Sequence, residues 1–209
     1  MEIQEIITLP VGQLQANCYL YVDKFSKETI IIDPGDDADF IERNISDRQL
    51  KPRLILATHG HFDHIMAVLE LKLAYKIPFK ASAKDKFLVN NMSKSAEHFI
   101  GIDTGPPPSI DASLKEAEII KIGRSLLTVI GTPGHTPGSV CLYDKTNKIL
   151  FTGDTLFAAS GVGRTDFSYS SHDELLHSLK KIFQLPLNTV IYPGHGRSST
   201  LEEEKNFHF

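Results

Sequence analysis

The sequence has no long apolar run and no cluster of basic residues, and both absences narrow the class of protein. The longest apolar runs, residues 29–32 and 54–57, have the length of a strand, whereas a membrane-spanning helix needs about 20 apolar residues. The formal net charge is −4 at pH 7, so bulk electrostatics give no basis for binding nucleic acid. We therefore expect no membrane span and no nucleic-acid partner.

Cysteine is also scarce, since only Cys18 and Cys141 occur. Both lie in apolar stretches without metal-ligand spacing, which predicts buried, reduced thiols in a cytoplasmic protein. The first residues are acidic, where a secretory signal would be basic. Neither a phosphate-binding loop nor a nucleophile elbow is present. With 209 residues, 41% of them hydrophobic, the chain is expected to form a single domain over residues 1–209.

Short apolar strands alternate with amphipathic helices along the chain. Strands are predicted at 3–7, 17–22, 29–32, 53–57, 118–122, 126–130, 139–143, 148–151 and 189–192, and helices at 64–75, 82–91 and 172–183. Asp36 or Asp37 is expected to cap a helix ending near Ser46, and Ser82 with Asp85 resembles a capping box. Residues 93–112 contain three consecutive prolines and are predicted to form an irregular, substrate-covering loop. The mixture predicts an α/β or α+β fold.

Two hairpins of the sequence form a weak internal repeat. Residues 18–24 lead through a turn and a strand to Asp33, and residues 141–145 lead in the same way to Asp154. Either the chain has two similar halves, or two short hairpins resemble each other by chance.

The strongest chemical signal is residues 58–64, Thr-His-Gly-His-Phe-Asp-His, directly after a predicted strand. Residues two apart in an extended segment point the same way, so His59 and His61 can converge on one ion. Asp63 and His64 follow where the chain turns toward a helix. Four ligand-type side chains within six residues predict a metal site.

Three more candidate ligands, His135, Asp154 and His195, lie far apart, each beside glycine in a turn that follows a strand. Each turn alone is explained by ordinary turn chemistry. The repeated context favours a functional role, because glycine allows close backbone approach and sites are built on loops at strand ends. The remaining histidines have no such context and are expected at the surface: residues 98, 172, 177 and 208.

The order His-x-His-x-Asp-His followed by a distant His, Asp and His resembles the metallo-β-lactamase superfamily. The chain is most similar to its glyoxalase II-like branch, through Gly-Val-Gly-Arg-Thr-Asp-Phe at 161–167, Gly-His-Thr-Pro-Gly at 134–138, and the prolines at 106–108 with Leu-Lys-Glu at 114–116. The resemblance implies a four-layer αβ/βα sandwich with the metal site at one sheet edge. It assigns His59, His61 and His135 to a first metal, Asp63, His64 and His195 to a second, and Asp154 to both. The expected cofactors are two divalent ions, zinc first, with iron or manganese as alternatives.

The resemblance implies a metal-dependent hydrolase that attacks a thioester or ester carbonyl of a small molecule, such as a glutathione or other thiol ester, with a metal-bound water. Asp63 is an alternative general base. Asp33 either accepts a hydrogen bond from a ligating histidine or is a plain turn residue. Arg164 either pairs with Asp166 to brace the site wall or meets an anionic substrate group. Nothing in the spacing singles out three further candidates for substrate contact: Lys94, Tyr169 and Lys205.

Two departures from the glyoxalase II pattern put glutathione in doubt as the substrate handle. The sequence stops at Phe209, where glyoxalase II proper continues into a helical region, and Arg197 stands where many relatives have proline. Rival hypotheses are a persulfide dioxygenase, whose single iron would be bound by His59, His135 and Asp154, a lactonase or phosphodiesterase, and a metal-binding protein without catalysis. The sequence gives no indication of the oligomeric state.

Overall fold

Twelve strands form two six-stranded sheets in a computed structural model that describes the backbone of residues 4–208 and the side chains of residues 4–205. The first sheet holds, in chain order, β1 (Gln4–Val11), β2 (Ala16–Asp23), β3 (Glu28–Ile32), β4 (Lys51–Leu56), β5 (Phe79–Ala81) and β6 (Ala112–Ser113). The second holds β7 (Ile119–Ile122), β8 (Ser125–Gly131), β9 (Val140–Asp144), β10 (Ile149–Gly153), β11 (Val190–Pro193) and β12 (Ser199–Thr200), also side by side in chain order.

Six helices accompany the sheets: α1 (Ala38–Asp47), α2 (Val68–Tyr75), α3 (Lys86–Asn90), α4 (Met92–Ile100), α5 (His172–Ile182) and α6 (Leu201–His208). Successive side chains of a strand point to opposite faces. In β2, Leu20 packs in a core with α1, α2 and α4, whereas Tyr19 and Tyr21 pack against Phe151 of the second sheet. A third core joins the second sheet to α5 and α6. The predicted four-layer αβ/βα sandwich is confirmed.

The two sheets repeat one topology. Strands β1, β2 and β3 pair antiparallel and β4 then joins β3 in parallel, and β8, β9, β10 and β11 follow the same sequence of pairings. Asp23 at the end of β2 accepts hydrogen bonds from the turn amides of Phe25 and Ser26. Asp144 at the end of β9 does the same for Thr146 and its neighbour. The weak repeat in the sequence therefore corresponds to a repeated fold unit.

The prediction of an irregular loop at 93–112 is wrong for the first part of that segment, which belongs to α4. Met92 and Ala96, four residues apart, are buried against the first sheet, and that packing stabilises the helix despite its polar sequence. Residues 101–111, which include the prolines, lie outside any helix or strand.

Several element boundaries also differ from the prediction. The helix expected from residue 64 begins at Val68, after a 3₁₀ turn over Phe62–His64. Asp37 occupies the N-cap position of α1, but its side chain makes no cap and accepts a hydrogen bond from the Gly12 amide at 2.9 Å instead. The first residue of the strand expected at 3–7, and the side chain of His208, lie outside the described residues.

Both cysteines are buried, as predicted, and burial raises the pKa of the Cys141 thiol to about 11. The histidines at 98, 172 and 177 are exposed, also as predicted. None of the helices in the described part of the chain has the combined length and apolar character that crossing a bilayer requires.

Candidate metal centre

The structure brings all seven predicted ligands together at one edge of the sandwich. The segment after β4 supplies four of them, and the turn between β8 and β9 supplies His135. Asp154 directly follows β10, and His195 follows β11, the parallel neighbour of β10. Parallel strands end at the same edge of a sheet, which explains how residues so far apart in sequence meet.

Three histidines form a first group. The Nδ1 atom of His61 lies 3.2 Å from His59 Nε2 and 2.9 Å from His135 Nε2. The rings pack edge to face, with centroids 4.6 to 5.0 Å apart. Three ring nitrogens therefore converge on one small volume.

A second group combines Asp63, His64 and His195. The Oδ2 atom of Asp63 lies 3.3 Å from His195 Nε2 and 3.7 Å from His64 Nε2. The ligand-type atoms of this group all lie within 4.8 Å of one another, as they do in the first group.

Asp154 lies between the two groups. Its Oδ2 atom is 3.5 Å from His135 Nε2 and 4.0 Å from His59 Nε2. Its Oδ1 atom is 3.5 Å from His64 Nε2, and Oδ2 is 3.8 Å from His195 Nε2. One carboxylate thus faces both groups.

Every histidine of the cluster has a partner for its outward ring nitrogen. The partners are Thr58 Oγ1 for His59 (3.1 Å), Tyr169 Oη for His61 (2.9 Å), Asp33 Oδ2 for His64 (3.1 Å), the Arg164 carbonyl for His135 (2.8 Å) and the Leu14 carbonyl for His195 (3.1 Å). Carbonyl and carboxylate oxygens only accept, so the outward nitrogens of His64, His135 and His195 are N–H donors. When these three rings are neutral, the inward nitrogen carries the lone pair, which is the tautomer that metal ligation requires.

Two buried atoms of the cluster have no hydrogen-bond partner among the described residues, His64 Nε2 and Asp154 Oδ1. Buried polar atoms are almost always hydrogen-bonded in native proteins. Both atoms face a concentration of imidazole nitrogens and carboxylate oxygens, the donor set that first-row divalent metals prefer. The residues present therefore fit a dinuclear metal site.

The electrostatics of the cluster agree with this fit. Burial and the neighbouring histidines lower the pKa of His59 and bring that of His61 to about 3, so both rings are neutral near pH 7. Burial would lower the pKa of His64 too, but Asp63, Asp154 and the hydrogen bond to Asp33 raise it to about 10. The carboxylates thus attract positive charge to the centre of the cluster.

Two glycines permit the close packing around Asp154. A Cβ atom on Gly194 would overlap the Asp154 carboxylate, and one on Gly163 would collide with the Asp154 carbonyl and the His135 ring. The glycine-rich context of the ligands is therefore a steric requirement of the site.

Asp85 is the site residue that sequence reasoning assigned wrongly. Ser82 is an N-cap as predicted, since its hydroxyl accepts a hydrogen bond from the Lys84 amide. Asp85 does not complete the predicted capping box, because its Oδ2 accepts hydrogen bonds from the Gly60 amide (2.9 Å) and Thr136 Oγ1 (2.7 Å), and its Oδ1 accepts from the Gly138 amide (2.7 Å). Burial raises the pKa of this fully buried carboxyl. The Asp85 carboxyl connects the loop of His59 and His61 to the loop of His135 through these hydrogen bonds. No local spacing in the sequence indicates that role.

Some of the other candidate residues lie beside the cluster or its cavity, and others do not. Asp33 contacts His64 and also accepts hydrogen bonds from the Thr58 amide and hydroxyl, both at 2.6 Å. Arg164 pairs with Asp166 through two 2.6 Å hydrogen bonds, and its guanidinium lies 4.4 Å from the Phe167 ring centroid. Tyr169 lines the cavity above the cluster, but Lys94 and Lys205 do not.

A family model of the metallo-β-lactamase superfamily matches residues 11–195. The chain belongs to the metallo-β-lactamase superfamily. Members of this superfamily are metal-dependent hydrolases, which agrees with the histidine and aspartate cluster described above.

The chain is also similar to individual proteins over nearly its whole length. It is 36% identical to hydroxyacylglutathione hydrolase GloC of Haemophilus influenzae over 205 residues, which cover 94% of this chain and 93% of that protein. The crystal structure of the BLEG-1 B3 metallo-β-lactamase matches with a TM-score of 0.89 and 34% identity, covering 97% of both chains. TTHA1623 in a di-iron-bound form matches with a TM-score of 0.86 and 33% identity, covering 95% of this chain and 96% of that one.

Proposed function

We propose that this member of the metallo-β-lactamase superfamily hydrolyses thioesters of small molecules at a dinuclear metal centre. The observation that carries the proposal is the convergence of seven ligand-type side chains, four of which line a cavity of about 500 Å³. Such a volume is typical of small-molecule sites, which range from about 300 to 1,000 Å³. Similarity to a hydroxyacylglutathione hydrolase supports a thioester as the reacting group.

The ligand assignment follows the two groups. We assign His59, His61 and His135 to one ion and Asp63, His64 and His195 to the other, with Asp154 between them. Imidazole-rich sites with carboxylates favour zinc, and iron or manganese remain alternatives because the same ligands accept them. When bound, the ions supply the Lewis acidity that activates water and polarises the carbonyl.

The chain's own residues orient the reactants. Burial would raise the pKa of Asp63, but the charge of His64 and the hydrogen bond with His195 lower it well below its usual range. Asp63 is therefore an ionised hydrogen-bond acceptor on the cavity wall, better suited to orienting a water molecule than to removing its proton as a general base. The Tyr169 hydroxyl lies 2.9 Å from His61 Nε2. When His61 Nδ1 is a metal ligand, Nε2 carries the proton and donates to this hydroxyl, whose own O–H can then donate to a substrate oxygen in the cavity.

The experiment is a turnover assay of the purified protein with S-lactoylglutathione and with an uncharged thioester, before and after metal removal. We expect hydrolysis that is lost on chelation and restored by zinc, and two divalent ions per chain by elemental analysis. A protein that contains one iron, consumes oxygen with glutathione persulfide and cleaves no thioester would contradict the proposal and favour the dioxygenase hypothesis.

A further inference from the structure

The cavity above the cluster has aromatic walls. The rings of Phe62 and Phe99 stack with centroids 5.9 Å apart and planes 7° from parallel. The rings of Phe167 and Tyr169 stack with centroids 5.1 Å apart and planes 13° from parallel. All four side chains line the cavity, as do four of the candidate metal ligands, His61, Asp63, His135 and Asp154. An apolar group that enters the cavity would therefore contact aromatic surface.

The mouth of the cavity is also apolar. Leu14, from the β1–β2 hairpin, is 45% exposed, and Phe99 of α4 is 52% exposed, although both are large hydrophobic side chains. Phe157 and Val162 also line the cavity. Single exposed apolar side chains are common on protein surfaces. A group of them around a concave site, in contrast, marks a ligand-binding surface.

Charge is scarce on these walls outside the metal-ligand cluster. Arg164 is the single cationic side chain among the described residues that line the cavity, and it is held by the bidentate pair with Asp166 and by the Phe167 ring. Glutathione carries two carboxylates, and proteins recognise carboxylates through arginine or lysine donors. The cavity offers no uncommitted cation for either of them.

We propose that the cavity selects an uncharged apolar acyl group, so that the preferred substrates are thioesters of medium-length aliphatic or aryl-alkyl acids with an uncharged thiol part. This rests on the proposed thioesterase function. In the reaction, water forms the new C–O bond as the C–S bond breaks. The acyl group leaves as the carboxylic acid and the sulfur takes the proton as the thiol.

The kinetic test compares N-acetylcysteamine thioesters from acetyl to hexanoyl, phenylacetyl-N-acetylcysteamine and S-lactoylglutathione on the metal-loaded protein. Burial of each methylene predicts a rise in kcat/KM of about two- to fourfold along the aliphatic series. The hexanoyl and phenylacetyl compounds are expected to exceed S-lactoylglutathione by about tenfold or more, from the same burial. A flat series together with a preference for S-lactoylglutathione would overturn the inference and leave the thioesterase proposal intact.

Phe99→Gln provides the matched variant. The side chain is half exposed on α4, so the substitution is expected to leave the fold in place while removing apolar wall. We expect the ratio of hexanoyl to acetyl kcat/KM to fall about fivefold, because less apolar surface is buried. Leu73→Gln changes a side chain that is 67% exposed on α2 and does not line the cavity, and it should leave that ratio unchanged. Equal ratios in both variants would count against the assigned wall.

A binding measurement separates this inference from the proposed function. The non-hydrolysable hexanoyl amide analogue is titrated into metal-free protein by calorimetry, with the acetyl amide and glutathione as comparisons. We expect saturable binding of the hexanoyl amide, weaker binding in Phe99→Gln, and no competition from glutathione. Binding without hydrolysis of any thioester by the metal-loaded protein would refute the thioesterase alone. Absence of binding would refute the apolar specificity.

Discussion

At the scale of single residues, Asp85 connects two loops, because its carboxylate accepts hydrogen bonds from the amides of both Gly60 and Gly138. Asp85→Ala would leave these two buried amides without acceptors, at about 1–3 kcal/mol each, and would relieve part of the cost of burying a carboxylate. We expect a net loss of about 2 kcal/mol in the free energy of unfolding, together with weaker metal binding. Urea denaturation and zinc titration measure both quantities.

The control for Asp85 is Ser82→Ala. The Ser82 hydroxyl accepts one long hydrogen bond, 3.3 Å from the Lys84 amide, so its loss should cost about 0.5–1 kcal/mol and leave zinc affinity unchanged. If Asp85→Ala bound zinc as tightly as Ser82→Ala, its role in positioning the histidine loops would be excluded.

Tyr169 acts on the cluster through His61, whose outward nitrogen lies 2.9 Å from the phenol oxygen. Tyr169→Phe removes this partner and keeps the ring. Loss of such an outer hydrogen bond typically weakens metal binding by about 10- to 100-fold, and we expect about tenfold here because one ligand of seven is affected. Competition with a chromophoric chelator measures the change. Tyr75→Phe, at the end of α2, is the control, and an equal affinity in the two variants would argue against the role of Tyr169.

At the scale of elements, the β2–β3 turn is joined to the second sheet by Asp23. Its carboxylate accepts hydrogen bonds from the amides of Phe25 and Ser26 and, across the sandwich, from the Arg124 amide in the β7–β8 turn. Burial would raise the pKa of Asp23, but these hydrogen bonds lower it below its ordinary value of 3.8.

The lowered pKa of Asp23 makes the free energy of unfolding depend on pH. The unfolded chain binds the Asp23 proton more readily, so the stabilisation is present above pH 3.8 and is lost as the pH falls through the lower folded-state pKa. Asp23→Asn should therefore be less stable than the wild type near neutral pH, with a difference that shrinks on acidification. Urea denaturation of metal-free protein over this range tests it, and a difference independent of pH would show that the hydrogen bonds do not act through the charge.

The success of the element predictions depended on length and periodicity. Strands β2, β3 and β9 carry apolar side chains on both faces, and such runs are visible in the sequence. Strands β5, β6 and β12 have only two or three residues, too few for any periodicity. Helix α4 was missed because only Met92 and Ala96 are buried in it, so packing on the sheet stabilises it more than its own sequence does.

At the scale of the whole molecule, the residues of the candidate site could be predicted because they occur in recognisable turns at strand ends. What could not be predicted is the set of contacts between those turns. Asp85 meets Gly138, 53 positions away, because the two sheets pack together, and Thr58 meets Asp33, 25 positions away, because β3 and β4 pair in parallel. The aromatic walls of the cavity also come from separate elements, so its apolar character could not be inferred from any one segment.

The most direct test of the central claim is the metal content of the purified chain and of its Asp154→Ala variant, measured by elemental analysis alongside thioester turnover. His98→Ala, which changes an exposed histidine on α4, is the control. Because Asp154 faces both ligand groups, we predict two divalent ions per chain in the wild type and the control, and loss of metal and turnover in Asp154→Ala. An Asp154→Ala protein with full metal content and full rate would contradict the account.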